Sequence, residues 1–148
     1  MKKLYKKRQI ILAILKIKYY IRYYRKKKKG GGMVKNFFGS IFINRDELKE
    51  AGINYPIKVE YYKIINEEEK TNQDKLIYGI QIIKTEYRDK IGVEQNKIEN
   101  ITNDEREITK ILNIMKENEV TPIGLEDVIL EIKNRQAIAK CKKLSYNT

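Results

Sequence analysis

The sequence predicts an α+β fold: a small antiparallel sheet, covered by two C-terminal helices and preceded by a basic N-terminal extension. Three observations carry this prediction. Segments rich in β-formers come first and segments with helical periodicity come last, an order that marks α+β rather than alternating α/β. The two helical stripes are apolar on one side only, so they must cover a sheet face. Finally, the net charge of +12 is confined to one end. Residues 1–32 hold ten Lys, three Arg and no acid (+13), whereas residues 33–148 hold the remaining 19 basic residues and all 20 acidic ones (−1). The expected organisation is therefore a basic extension at residues 1–32 and a single α+β domain at residues 33–148.

The apolar run at 37–43, FFGSIFI, reads as a short strand that adds a possible fourth to a three-strand meander. Asn44 fits an N-cap with Asp46 and Glu47 in the first turn. Gly52 fits the position just past a helix, giving a two-turn helix at 45–51. The segment 57–65, IKVEYYKII, is rich in β-formers. Its Ile57, Val59, Tyr61 and Ile65 share one parity, interrupted by Lys63, and should face the core. The polar stretch 66–74 reads as a loop, with Glu67, Glu68 and Glu69 solvated. The strongest strand pattern is 76–87, LIYGIQIIKTEY. Apolar residues on both parities predict a central, covered strand, and Gly79 marks a bulge or a close backbone approach. After a turn at 88–92, the broken parity of Val93, Ile98 and Ile101 predicts an edge strand with a bulge at 93–101.

Thr102-Asn103-Asp104-Glu105 has the spacing of a capping box. Ile108, Ile111, Leu112 and Met115 then follow at i, i+3, i+4 and i+7, and Asn118 is expected to close this helix in the left-handed conformation. Thr121-Pro122 opens a second helix. Its stripe is Leu125, Val128, Ile129 and Ile132, and it is expected to end near Ala139 before a frayed tail.

Residues 1–32 are too interrupted by Lys16 and Lys18 to form a signal peptide core or a membrane span. On a helix those two lysines lie about 200° apart, which spoils a clean amphipathic face. Lys26–Lys29 followed by Gly30, Gly31 and Gly32, then Met33, would be encoded by a purine-rich tract before an ATG, as in a bacterial ribosome-binding site. The expectation is that Met33 is the start and residues 1–32 are translated leader.

There is no His, and Cys141 is the only cysteine. That composition excludes an intramolecular disulfide, His-based acid–base chemistry and a Cys/His zinc site. Asp104, Glu105 and Glu107, like Glu126, Asp127 and Glu131, could bind a hard cation. Both groups stand at expected helix starts, where acids stabilise the helix by about 0.3–1 kcal/mol. No catalytic, cofactor or metal residue is therefore assigned. Tyr61, Tyr62, Tyr78 and Tyr87 lie among Lys58, Lys63 and Lys84 on expected strands, an arrangement that can stack single-stranded RNA. From this set, Tyr62, Lys63, Lys84 and Tyr87 are the candidate interaction surface. The competing reading is that half of these tyrosines are core.

Three motifs carry a family resemblance: Tyr78-Gly79-Ile80 through Ile83, Asn100-Ile101-Thr102-Asn103-Asp104, and Val120-Thr121-Pro122-Ile123-Gly124-Leu125-Glu126-Asp127-Val128. Over roughly residues 57–132 the chain resembles an uncharacterised family of small proteins, a domain of unknown function, of spore-forming anaerobic bacteria. The resemblance implies a cytoplasmic bacterial protein and no mechanism. The expected function is a small non-catalytic protein-interaction or regulatory role in the bacterial cytoplasm, with a protein partner and no small-molecule substrate. One alternative is a nucleic-acid binder using the Tyr/Lys sheet face or the basic tail. The other is a membrane-surface protein anchored by residues 1–32.

Overall fold

A computed structural model describes residues 32–68 and 75–145. The readings of residues 1–31, of the loop at 69–74 and of the last three residues lie outside the described residues. Four antiparallel strands form one open sheet in the order β1-β2-β3-β4. They are β1 (Val34–Ile43), β2 (Ile57–Glu68), β3 (Lys75–Glu86) and β4 (Gly92–Thr102). Between β1 and β2 stand α1 (Arg45–Leu48) and a 3₁₀ turn (Lys49–Ala51). After β4 come α2 (Glu105–Glu117), a 3₁₀ turn (Pro122–Gly124) and α3 (Leu125–Ser145). The fold is α+β.

The alternation of β2 works as its parity predicts. Ile57, Val59 and Tyr61 are buried on one face with Tyr78, Ile80 and Ile82 of β3. α2 packs across all four strands of this face through Ile108, Ile111, Leu112 and Met115, while α3 adds Leu125 and Ile129 beside β4. Tyr61 crosses the core with its ring and donates its hydroxyl to the Val120 carbonyl at 3.1 Å. Burial pushes its pKa up to about 12, with the Glu119 charge a lesser cause.

Several local expectations are corrected. The first strand begins at Val34 rather than 37, and β2 runs on to Glu68, so Glu67 and Glu68 belong to a strand and not to a loop. Long antiparallel pairing with β3, continuous out to Glu68↔Lys75, overrides the polar composition there. α2 is capped by Asp104, which accepts from the Arg106 N–H at 2.8 Å; Thr102 ends β4 and its hydroxyl accepts from the Asp104 N–H at 3.2 Å. The Ser/Thr-x-x-Glu spacing therefore marked the right boundary and the wrong capping residue. At the other end Asn118 is not left-handed. Its side-chain amide donates to the Ile114 carbonyl at 2.8 Å, and Glu119, at φ 52°, makes the turn. A 3₁₀ turn on Pro122 precedes the last helix, which continues to Ser145, well past Ala139.

Gly79 is the most constrained residue of the sheet. A Cβ there would lie 2.2 Å from the Ile98 carbonyl oxygen and 2.5 Å from that of Glu99. The register of β3 and β4 shifts at this point, from Ile80↔Ile98 to Tyr78↔Thr102. The bulge lets β4, an edge strand, press its backbone onto β3, which only a residue without a side chain tolerates.

Candidate functional site

Strand alternation leaves the second sheet face as the candidate site. Leu48 of α1 and the buried apolar residues of α2 and α3 join the core on the first face, and no described helix packs its apolar stripe on the second. Cross-strand register reads this surface as a grid running from β1 to β4. One row is Phe37, Tyr62, Gln81 and Lys97; the next is Ser40, Glu60, Ile83 and Gln95; a third is Phe42, Lys58, Thr85 and Val93. Lys35 and Ile64 extend it beyond Phe37 and Tyr62, and Ile64 is fully buried opposite Gly79.

Phe37 and Phe42 are 59% and 56% exposed. They stand five positions apart, which in a regular strand would place them on opposite faces. The register shift between Phe37 and Gly39 turns both to the same side. Phe37 meets the Tyr62 ring edge-on at 5.6 Å, and Phe42 lies 6.3 Å from the Tyr87 ring. The Lys35 ammonium sits 3.9 Å over the Tyr62 ring, a cation–π contact. Glu60 accepts from Lys58 at 3.1 Å and from the Tyr62 hydroxyl at 3.4 Å. That hydrogen bond and the Glu60 charge raise the Lys58 pKa. Desolvation, then Glu60, raises that of Tyr62. Gln81, nearly buried, donates to Gln95 at 2.9 Å. The surface is thus aromatic and amide-bearing, with Lys58 paired to Glu60, Lys97 paired to Glu99 at 2.5 Å, and Lys35 over the Tyr62 ring. It offers rings, amides, ammonium groups and carboxylates for binding.

The four residues singled out in the sequence divide between the two faces. Tyr62 lies on the open face, and Tyr87 joins it through Phe42. Lys63 and Lys84 point to the helix side. Lys63 pairs with Glu105 of α2 at 2.7 Å, and Lys84 lies between Glu94 at 2.6 Å and Glu86 at 3.2 Å, where the Glu94 hydrogen bond raises its pKa. Tyr61 and Tyr78 are core. The parity of Lys63 with Tyr61 was the available signal that it belongs to the other face. Phe37, Phe42 and Lys35 carried no such signal, because a bulge is invisible in composition.

The acidic groups have structural partners. Glu107 accepts from the Thr102 hydroxyl and, at 2.7 Å, from Gln136; these two hydrogen bonds lower its pKa. Glu105 holds Lys63, Asp104 caps α2, and Glu126 and Asp127 occupy the first turn of α3. Among the described residues no group of three or more His, Cys, Asp or Glu could hold a metal ion, and no helix is long and apolar enough to cross a membrane.

Fold and surface together define a small α+β domain with a one-sided sheet. The chain belongs to a family of unknown function (DUF6514), whose model matches residues 40–134. No curated protein and no solved structure matches it.

Proposed function

We propose that this chain is a non-catalytic protein-interaction or regulatory protein of the bacterial cytoplasm, from a family of spore-forming anaerobes, and that it binds its partner with the open sheet face. One observation supports the reading above others: Phe37, Phe42 and Val93 stand exposed on the sheet face on which no described helix packs its apolar stripe. Exposed aromatic side chains set among polar groups are enriched at interaction sites. The test is site-specific photocrosslinking in the native host. A crosslinker at Phe42 should trap one defined protein, and the same crosslinker at Glu117, on the back of α2, should not. Equal trapping at both positions, or none at Phe42, would remove the proposal.

A second reading is single-stranded RNA binding on the same face. It is favoured by the two aromatic pairs, one under Lys35 and the other beside Lys58. Rings between basic side chains are a stacking platform, and their binding weakens steeply with salt. RNase-sensitive crosslinks at Phe42 would select this reading over a protein partner.

A further inference from the structure

α3 carries more apolar surface than its own fold uses. Leu125, Val128, Ile129 and Ile132 form the stripe that meets the sheet and α2. Lys133, donating to the Ile101 carbonyl at 2.6 Å, and Gln136, donating to Glu107 at 2.7 Å, tie the helix to the body. From Ala137 to Ser145 every residue is exposed. At about 100° per residue, Ala137, Ile138, Cys141 and Leu144 fall within an arc of about 120°, with Asn134 one turn earlier, on the side away from the packed stripe. Leu130, Ile138 and Leu144 are 61%, 57% and 70% exposed, and Cys141 is exposed as well.

The charges on this segment are of one sign. After Glu131 the chain has Lys133, Arg135, Lys140, Lys142 and Lys143 and no further acid. Arg135 pairs with Glu131, but Lys140, Lys142 and Lys143 have no ion-pair partner among the described residues. On the helical projection Lys140 and Lys142 flank the apolar arc, each about 40° beyond its edge. Lysines bordering an apolar stripe can reach up to phosphates while the stripe sinks between acyl chains. A second copy of this helix would bring like charges together. A nucleic acid would use the lysines and leave Ile138 and Leu144 in water.

We infer that the exposed half of α3 is a docking helix for an anionic phospholipid surface, lying in the interface with Ile138, Cys141 and Leu144 inserted. The site shares no residue with the open sheet face.

Cys141, the only cysteine, makes the test specific to this helix. An environment-sensitive fluorophore is attached to it in the full chain, which is mixed with phosphatidylglycerol vesicles or with phosphatidylcholine vesicles. On the anionic vesicles the emission should move to the blue and be quenched by spin-labelled acyl chains; on the neutral ones it should not change. K140Q/K142Q/K143Q should raise the lipid concentration for half-maximal response on the order of 100-fold, from three lost lysine–surface attractions. I138S/L144S should abolish the shift, with far-UV circular dichroism and melting unchanged because both positions are exposed. Co-sedimentation with vesicles while the label stays in water would assign binding to another segment and overturn the proposal. So would an equal response to neutral vesicles, a blue shift that grows with protein concentration in the absence of lipid, or a response to single-stranded RNA in place of lipid.

Discussion

On one side of the sheet Val59, Tyr61, Ile80 and Ile82 are sealed beneath α2; on the other, the same four-stranded sheet holds Phe37 and Phe42 out to solvent. The helix side is explained by folding. Each buried side chain there removes apolar area from water and contributes about 1.5–3 kcal/mol relative to exposure. On the open side Ile64 and Gln81 are buried, but Phe37, Phe42 and Val93 gain little from the described packing, and folding alone does not explain them. Its charged groups differ as well. On the helix side Lys63 and Lys84 are tied to Glu105, Glu86 and Glu94, whereas on the open side Lys58 and Lys97 pair with Glu60 and Glu99 and Lys35 lies over the Tyr62 ring. A sheet of this kind separates residues that hold the structure from residues left available for something else.

Paired substitutions can break this division. The largest contrast is Ile82→Ala against Phe42→Ser. The first opens a cavity under α2 and should cost about 2–5 kcal/mol in urea unfolding. The second should stay within about 0.5 kcal/mol, as exposed substitutions do. A large loss from Phe42→Ser would show that the open face is structural after all. Gly79→Ala tests the bulge that sets the edge strand. Its Cβ would meet backbone rather than a movable side chain, so a loss of about 1–3 kcal/mol is expected. The smallest contrast is between neighbouring tyrosines. Tyr61→Phe leaves the Val120 carbonyl without its partner in the core and should cost about 1–3 kcal/mol. Tyr62→Phe loses only a long, half-exposed contact to Glu60 and should cost a few tenths, about the scale of a surface change.

Tyr61 also sets an alkaline limit. Its folded pKa is raised to about 12, above the ordinary value of about 10 in the unfolded chain. The stability this represents is fully present below pH ~10 and is lost as pH rises toward 12, because the unfolded state releases its proton first. Unfolding followed between pH 9 and 12 should show this loss in the native chain and a smaller one in Tyr61→Phe.

Much of the fold is legible in the sequence because period and punctuation are local. The 3.6-residue stripes of α2 and α3, the parity of 57–61 and the two-sided apolar pattern around Gly79 all point to what is found. What was not legible depends on contacts distant in sequence. Pairing with β3 carries β2 through Asn66, Glu67 and Glu68, whose composition resembles a loop. Asp104 rather than Thr102 caps α2 because Thr102 is still held in the last ladder position of β4, opposite Tyr78. The candidate surface was legible only in Tyr62 and Tyr87. Reading Lys63 and Lys84 beside them joined residues that parity places on opposite faces, and the bulge at Phe37 and Gly39 hid the aromatic pair that completes the patch.

The most direct test of the central claim is one doubly substituted chain, F37S/F42S, measured for stability and for partner retention in the same preparation. The account predicts native-like melting, within about 0.5 kcal/mol in unfolding free energy, together with loss of the species trapped at the open face. Full retention of that species by a stably folded F37S/F42S chain would contradict it.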